Sequence, residues 1–482
     1  MTVPSLQFLG FALIGALAFN LWSAPLWGRM VLLGLNIAFF CTFLHGAAAA
    51  APYAAFLALG YVGVIVLQRR QTAWLLPAFV IVLLLSFFVL KRYGFVPAVL
   101  DLPFAYATVG LSYVFFRVLH LVIDAGQGAL PAAIGPLSYV NYTLNFPALV
   151  SGPIQLYPDY RRSEMAPRPP LDLFVVAAAF ERIVIGFFKV AIVSMLLSKL
   201  QHWAIDRLAD QPAGVARALD FAAICATYPL FLYANFSGYT DFVIGVARLY
   251  RIVLPENFAW PFLAENFIAF WGRWHITLSS WLKTYVYMPL LAGLMRRFPA
   301  PSLEPYFGVL AYFVTFFLVG AWHGQTSMFL FFGVLQGGGV AANKLYQVMM
   351  TAWLSRRGYR ALCADPLYAA VTRGLTFTWF ALTMLWFWSS WSQLREFVAI
   401  AGWGAILASF GMILAAATAI LSLAAALVAR RDARSRGDAT REDLPSPSRY
   451  WRTVTTTAMV VIIAAFTLIV NGPAPDVVYK AF

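Results

Sequence analysis

Two histidines in apolar surroundings are the residues best placed to do chemistry. His323 stands in GAWHGQTSMFLFFGVLQG, residues 320–337, and His275 in FWGRWHITLSSWLKTYVYMPL, residues 270–290. Imidazole is the side chain whose charge changes near neutral pH. Desolvation favours its neutral form, and a neutral imidazole is what a general base requires. An ionisable group at membrane depth is costly and faces a cavity or a partner. His323 is therefore read as a functional group, against the competing reading of a core histidine bonded to a backbone carbonyl. His275 shares a helical register with Ser279, beside a stripe of Trp271, Trp274, Leu278, Trp281 and Tyr285 at three- and four-residue spacing. That spacing predicts one helix with an aromatic face, suited to the headgroup level of a bilayer. Of the remaining histidines, His120 shares a span with Arg117 and Asp124, His45 ends a span and His202 looks interfacial. There is no Ser-His-Asp order and no HExxH spacing, so no metal site is expected.

The elements that must position these groups are helices in lipid. Hydrophobic residues make up 62% of the 482 and charged residues 11%, and the mean hydropathy is +0.76. Soluble domains carry about a quarter charged residues, so that class is excluded. A bilayer core takes roughly 20 apolar residues per helix. Runs of that kind are predicted at about 5–22, 25–44, 50–67, 73–90, 103–123, 171–199, 219–250, 306–322, 325–348, 369–389, 396–428 and 452–471. The two longest exceed one crossing and are expected to bend or double back. A β-barrel would show alternating segments of about ten residues instead. The expected fold class is an all-α polytopic membrane protein of roughly 11–13 transmembrane or re-entrant helices. The N-terminal MTVPSLQFLG has no Lys or Arg, so its span is expected to be retained rather than cleaved as a signal peptide.

The formal net charge of +14 is spread over short loops, as the positive-inside rule expects of cytoplasmic loops; no nucleic-acid partner is expected. Cys41, Cys225 and Cys363 lie far apart with no metal spacing. The hydrophilic linker 429–452, with Arg430, Arg431, Arg434, Arg436 and Arg441, is predicted to be cytoplasmic, as is the segment with Arg356, Arg357 and Arg360. No fixed-period repeat of the kind found in many transporters is visible. From Tyr139 to Gly337 the chain is richer in Pro, Gly, Trp, Tyr and polar residues than its flanks. Irregular backbone at membrane depth survives only when buried in protein or lining a cavity, which predicts a cavity there. The expected organisation is N-terminal helices over 1–100, a core over 101–348 that holds both histidines, and C-terminal helices over 349–482.

Five ordered stretches resemble the membrane-bound O-acyltransferase family, in its branch of alginate O-acetyltransferase membrane components and teichoic acid D-alanyl transferases. They are GLSYVFFRVLHLVIDAGQG (110–128), FPALVSGPIQLYPDY (146–160), FSGYTDFVIGVARLYRIVLPENFAWPF (236–262) and the two histidine segments. The resemblance implies that His323 is the catalytic histidine and His275 its second histidine, lining a central tunnel that crosses the membrane. It also implies that Trp322, Trp274, Asn235, Ser237, Tyr239 and Asp241 line that tunnel. The sequence departs from the branch at Asn235, Gly272, Lys283-Thr284, Leu291-Ala292 and Gln336. The tail with Tyr479 and Phe482 is only faintly like the branch's aromatic C terminus.

On this resemblance the chain is expected to be an O-acyltransferase of the cell inner (cytoplasmic) membrane. It would move an acyl group, acetyl in the first instance, from a cytoplasmic thioester to a hydroxyl beyond the outer face. The donor would be acyl-CoA (acetyl-CoA) or an acyl carrier protein, with no bound cofactor. The acceptor would be an exopolysaccharide or envelope polymer, reached through a periplasmic or extracellular acyltransferase partner. His323 would act as general base and His275 would orient the thioester or polarise its carbonyl. Arg161, Arg162, Arg296 and Arg297 could contact an anionic donor or merely set topology. The rivals are a transporter or flippase using Asp124, Glu181 and Asp241, and a non-catalytic scaffold for envelope biosynthesis. Asp124, Glu181 and Asp241 could also pair with Arg117, Arg182 or hydroxyls within the bundle.

Overall fold

Apolar runs without a water partner must satisfy their backbone groups within the segment, so they become helices. The computed structural model of the chain, described over residues 1–70, 72–130, 133–167, 171–438 and 447–470, is built of helices. Among the described residues the one β-type pairing is an isolated antiparallel bridge between Phe258 and Trp274. Part of the basic linker 429–452 and the tail with Tyr479 and Phe482 lie outside the described residues.

The chain divides into two compact units, Met1–Lys189 with Phe236–Glu256, and Val190–Asn235 with residues 257–470. The first unit holds α1 (Leu6–Asn20), α2 (Pro25–Cys41), α3 (Ala51–Arg69), α4 (Leu75–Leu90), α5 (Leu111–Gly126), α6 (Pro136–Leu144), α7 (Tyr157–Met165) and α8 (Leu173–Phe188). A π-helical turn over Lys189–Val193 leads into α9 (Ser194–Leu208), and α10 (Val215–Leu249) contributes residues to both units. The second unit continues through α11 (Phe267–Trp271), α12 (Ile276–Leu282), α13 (Met288–Arg297), α14 (Glu304–His323) and α15 (Ser327–Ala364). It ends with α16 (Pro366–Thr383), α17 (Leu385–Trp388), α18 (Trp391–Asp438) and α19 (Pro447–Val470).

Among the described residues, five helical stretches are long and apolar enough to cross a bilayer: Ala47–Arg69, Leu173–Leu208, Val215–Leu249, Glu304–His323 and Trp391–Arg430. Of the two overlong runs, the later one bends. In α18, Gly402 takes φ 75° and ψ 155°, outside the helical region, a conformation glycine reaches without steric cost. The earlier one carries Pro229 inside α10.

In the first unit the early motifs fold onto one another. Arg117 of α5 is buried and donates to the carbonyls of Thr143 and Ala148. Gly110, at φ 64°, starts α5 where a Cβ would come 2.1 Å from the Leu149 carbonyl oxygen. Only glycine fits both that backbone and that approach.

In the second unit α14 and α15 form a hairpin with a glycine seam. A Cβ on Gly320 would lie 2.4 Å from the Gly333 Cα, and one on Gly337 would lie 2.6 Å from the Phe313 carbonyl oxygen. Gly333 and Gly337 are four residues apart, the spacing that lets two helices approach backbone to backbone in a membrane. This seam fixes the end of α14, where His323 stands.

Candidate active site

The segment predicted as one amphipathic helix over 270–290 is broken. α11 stops at Trp271, and His275 adopts φ 44° and ψ 53° before α12 begins. The left-handed region is unfavourable for a residue with a Cβ and persists only where surrounding bonds impose it. Those bonds come from the PENF stretch. The Asn257 carbonyl accepts from Ile276 N–H at 2.9 Å, and Ala259 N–H donates to the Arg273 carbonyl at 3.0 Å. The Asn257 side-chain oxygen accepts from the Thr277 N–H at 3.1 Å and its hydroxyl at 2.7 Å, and lies 3.3 Å from His275 Nδ1.

The tryptophans expected at the lipid interface are inside the protein: Trp271, Trp274 and Trp281 are all buried. Trp271 packs on Phe316 of α14 at 4.9 Å between centroids, and Trp274 packs on Phe380 of α16 at 5.1 Å and on Phe258 at 5.2 Å. Ile268 N–H donates to the Asn343 side chain of α15 at 3.2 Å. The broken segment is thereby docked on three helices far away in sequence, and the period-of-four stripe is a packing pattern rather than a single face.

His323 is the last residue of α14, followed by extended Gly324. A Cβ on Gly324 would lie 2.1 Å from the Phe329 ring, so the reversal into α15 is close against that side chain. Three rings enclose the imidazole: Trp322 at 4.8 Å, Phe387 at 5.0 Å and Phe332 at 6.1 Å. The isolation of His323 from water is built by these aromatic side chains and does not depend on its place along an apolar run.

His275 and His323 are both buried in the second unit. His275 is outside the long apolar helices, and burial there pushes its imidazole down to about 3. It is neutral at physiological pH. Arg373 of α16, also buried, donates to the Leu263 carbonyl and to Glu265.

The other expected tunnel residues separate into two environments. Trp274 lies beside His275, Trp322 adjoins His323, and Asn235 is buried on the part of α10 that belongs to the second unit. Ser237, Tyr239 and Asp241 belong to the first unit. There the Tyr239 hydroxyl accepts from Ser151 N–H, and Asp241 accepts from Arg182 at 3.0 Å and Lys189 at 2.6 Å. Arg182 also holds Glu256, so two cations and two carboxylates neutralise one another. Arg182 and Asp241 are thus paired, one of the pairings open to those intramembrane charges.

His120 and Asp124 resemble a catalytic pair but are built for structure. Nδ1 of His120 lies 3.0 Å from the Asp124 carboxylate, and Nε2 accepts the backbone N–H of Tyr157 at 3.1 Å. Both ring nitrogens are occupied in holding α7 to α5. Arg161 pairs with Glu164 at 2.6 Å; Arg162 pairs with Asp159, and those two line a cleft of about 450 Å³ together with Ser163 and Arg251. Gln336, one of the departures, is buried and donates to the Thr383 hydroxyl at 2.8 Å.

The model of the membrane-bound O-acyltransferase (MBOAT) family matches residues 70–387, a stretch that includes both histidine motifs and ends at the Phe387 ring packed on His323. The chain belongs to the membrane-bound O-acyltransferase family. As a member it is a multi-pass membrane protein, in keeping with its long apolar helices. It is similar to the teichoic acid D-alanyltransferase of Bacillus subtilis, 26% identical over 227 residues, 47% of this chain and 56% of that one. It is also similar to the probable alginate O-acetylase of Azotobacter vinelandii, 28% identical over 240 residues, 50% of this chain and 45% of that one. The peptidoglycan O-acetyltransferase of Helicobacter pylori is 31% identical over 219 residues, 44% of this chain and 38% of that one. The matched part spans about half the length of these curated relatives.

Asn257 is the residue of this membrane-bound O-acyltransferase that sequence reasoning passed over. It appears in PENF as one letter of a motif, and its bonds run to residues 18 to 20 positions later. The available signal was an amide side chain next to the apolar run that follows it, a place where such a group needs partners.

Proposed function

We propose that this chain is the membrane acyltransferase of an envelope-polymer modification system. It takes an acyl group, acetyl in the first instance, from a thioester on the cytoplasmic side of the inner membrane. It delivers that group to a hydroxyl on the other side, with acyl-CoA or an acyl carrier protein as donor. A secreted partner carries the modification to the polysaccharide. The observation that carries this reading is a pair of buried imidazoles in one compact unit, from motifs 48 positions apart by their numbering, with three aromatic rings around His323. The activities named for the three relatives, D-alanyl transfer to teichoic acid and acetyl transfer to alginate and peptidoglycan, support an envelope polymer as the acceptor.

In this reaction His323 accepts the proton of the attacking hydroxyl as its oxygen bonds to the thioester carbonyl carbon. The carbon–sulfur bond then breaks, and the departing sulfur receives that proton from His323. An ester and a free thiol result, with no net proton change. General base assistance of this kind contributes about 10² to 10⁴ in rate. His275 orients the reacting groups beside it. The aromatic walls exclude water, which would otherwise compete for the acyl group.

The test is transfer of label from acetyl-CoA, and separately from an acylated carrier protein, into envelope polymer by membranes that contain the chain. Incorporation from either donor supports the reading and names the donor. Absence of incorporation from both, in membranes that also contain the chain's native envelope proteins, rejects it.

A further inference from the structure

Two donors and a ring nitrogen of His275 converge on one oxygen. Oδ1 of Asn257 accepts from the Thr277 N–H and hydroxyl, and His275 Nδ1 lies 3.3 Å from the same atom. A backbone N–H can only donate, so the Asn257 atom that receives it is the amide oxygen and not the amide nitrogen. A ring nitrogen facing an oxygen that is already an acceptor must carry the hydrogen. In a neutral imidazole the other nitrogen then holds the lone pair. Asn257 is wholly buried and held through its own backbone carbonyl as well, by Ile276 N–H. Its amide has no freedom to turn over without losing both bonds to Thr277.

We propose that Asn257 is a positioning residue for acyl transfer, holding His275 in the tautomer with its proton on Nδ1 so that Nε2 serves the reacting centre as a hydrogen-bond acceptor. The inference rests on the placement of His275 in that centre. It narrows what His275 does there. In its resting form Nε2 receives a hydrogen bond, as from an incoming hydroxyl, and does not give one to a thioester carbonyl. It also explains the left-handed backbone at His275. The ring must face an amide that lies behind it on the PENF stretch, and the chain turns there to allow it.

Two measurements test this, one of them independent of activity. The first is ¹⁵N spectroscopy of histidine-labelled protein in lipid bilayers, with the His275 signals assigned by their loss in His275→Asn. The expected result is a protonated Nδ1 and an unprotonated Nε2 in the wild type, with the proton redistributed in Asn257→Leu. A wild-type His275 that carries its proton on Nε2 overturns the proposal, whatever the acyl acceptor proves to be. The second is the pH profile of transfer. Asn257→Asp keeps an acceptor oxygen but places a carboxylate on the Nδ1 hydrogen, which favours the charged imidazolium. Its acid limb should move to higher pH by about one unit or more, with activity recovered on the alkaline side. Asn257→Leu should lose about 10²-fold in kcat at every pH, with a smaller change in KM. An unshifted acid limb in Asn257→Asp contradicts the proposal, and so does full activity in Asn257→Leu. If the spectroscopic result holds but no variant alters transfer, the tautomer stands and the role of His275 in transfer fails.

Discussion

Gly320 and Gly333 meet backbone to backbone: a Cβ on Gly320 would lie 2.4 Å from the Gly333 Cα and 2.4 Å from the Phe329 carbonyl oxygen. Both neighbours are main chain, so neither can swing aside. Gly320→Ala should push α14 away from α15 at the turn before His323, at a cost of about 1–3 kcal/mol for overpacking. Thermal unfolding in detergent micelles should show a lower midpoint, and transfer should fall in parallel. An unchanged midpoint would mean that the seam is looser than described.

Asp241 stands between Arg182 and Lys189, with its side chain 15% exposed. Asp241→Asn leaves two cations with one fewer carboxylate in a membrane-buried setting. Removing one member of such a set is destabilising because the remaining charges lose compensation. Partial exposure limits the loss to on the order of 2 kcal/mol. Thermal unfolding of Asp241→Asn, Lys189→Gln and the double variant checks it: the double variant should be less destabilised than the sum of the two singles. Strict additivity would contradict the pairing.

His120 should separate from His275 and His323 when each is changed. Its loss removes bonds to the Tyr157 N–H and to Asp124, which costs about 1–3 kcal/mol for the buried groups left behind. Per folded molecule, His120→Ala should retain transfer to within about tenfold, whereas the two site histidines should not. A loss of activity in folded His120→Ala as large as that of His323→Ala would place His120 in the chemistry.

The pH response of His275 follows from its burial. An imidazole with an ordinary pKa near 6.5 takes up a proton as pH falls from 8 to 5. One lowered to about 3 remains neutral over that whole range. Its ¹⁵N resonances should therefore stay fixed between pH 8 and 5. A midpoint near 6.5 for His275 would show that water reaches the ring.

Much of the fold was legible because lipid allows few solutions. The run at about 306–322 became α14, the one at about 73–90 became α4, and the overlong run at 396–428 broke at Gly402. Position along an apolar run said less about surroundings. The Trp271, Trp274 and Trp281 stripe has helical spacing, yet the backbone turns at His275 because Asn257 bonds override local periodicity. Nor could the sequence show that Phe316 and Phe380, from helices much later in the chain, would bury those tryptophans. Both site histidines were visible as titratable groups in apolar text. Asn257 was not, because the partner that gives it meaning is a tautomer rather than a motif.

The most direct test of the central claim is label transfer from acetyl-CoA into envelope polymer by membranes with wild-type protein or His323→Ala, at matched expression and with correct folding verified. Wild-type membranes should incorporate label, and His323→Ala should lower incorporation by about 10² to 10⁴. Equal incorporation by the two would remove His323 from the reaction and contradict the account.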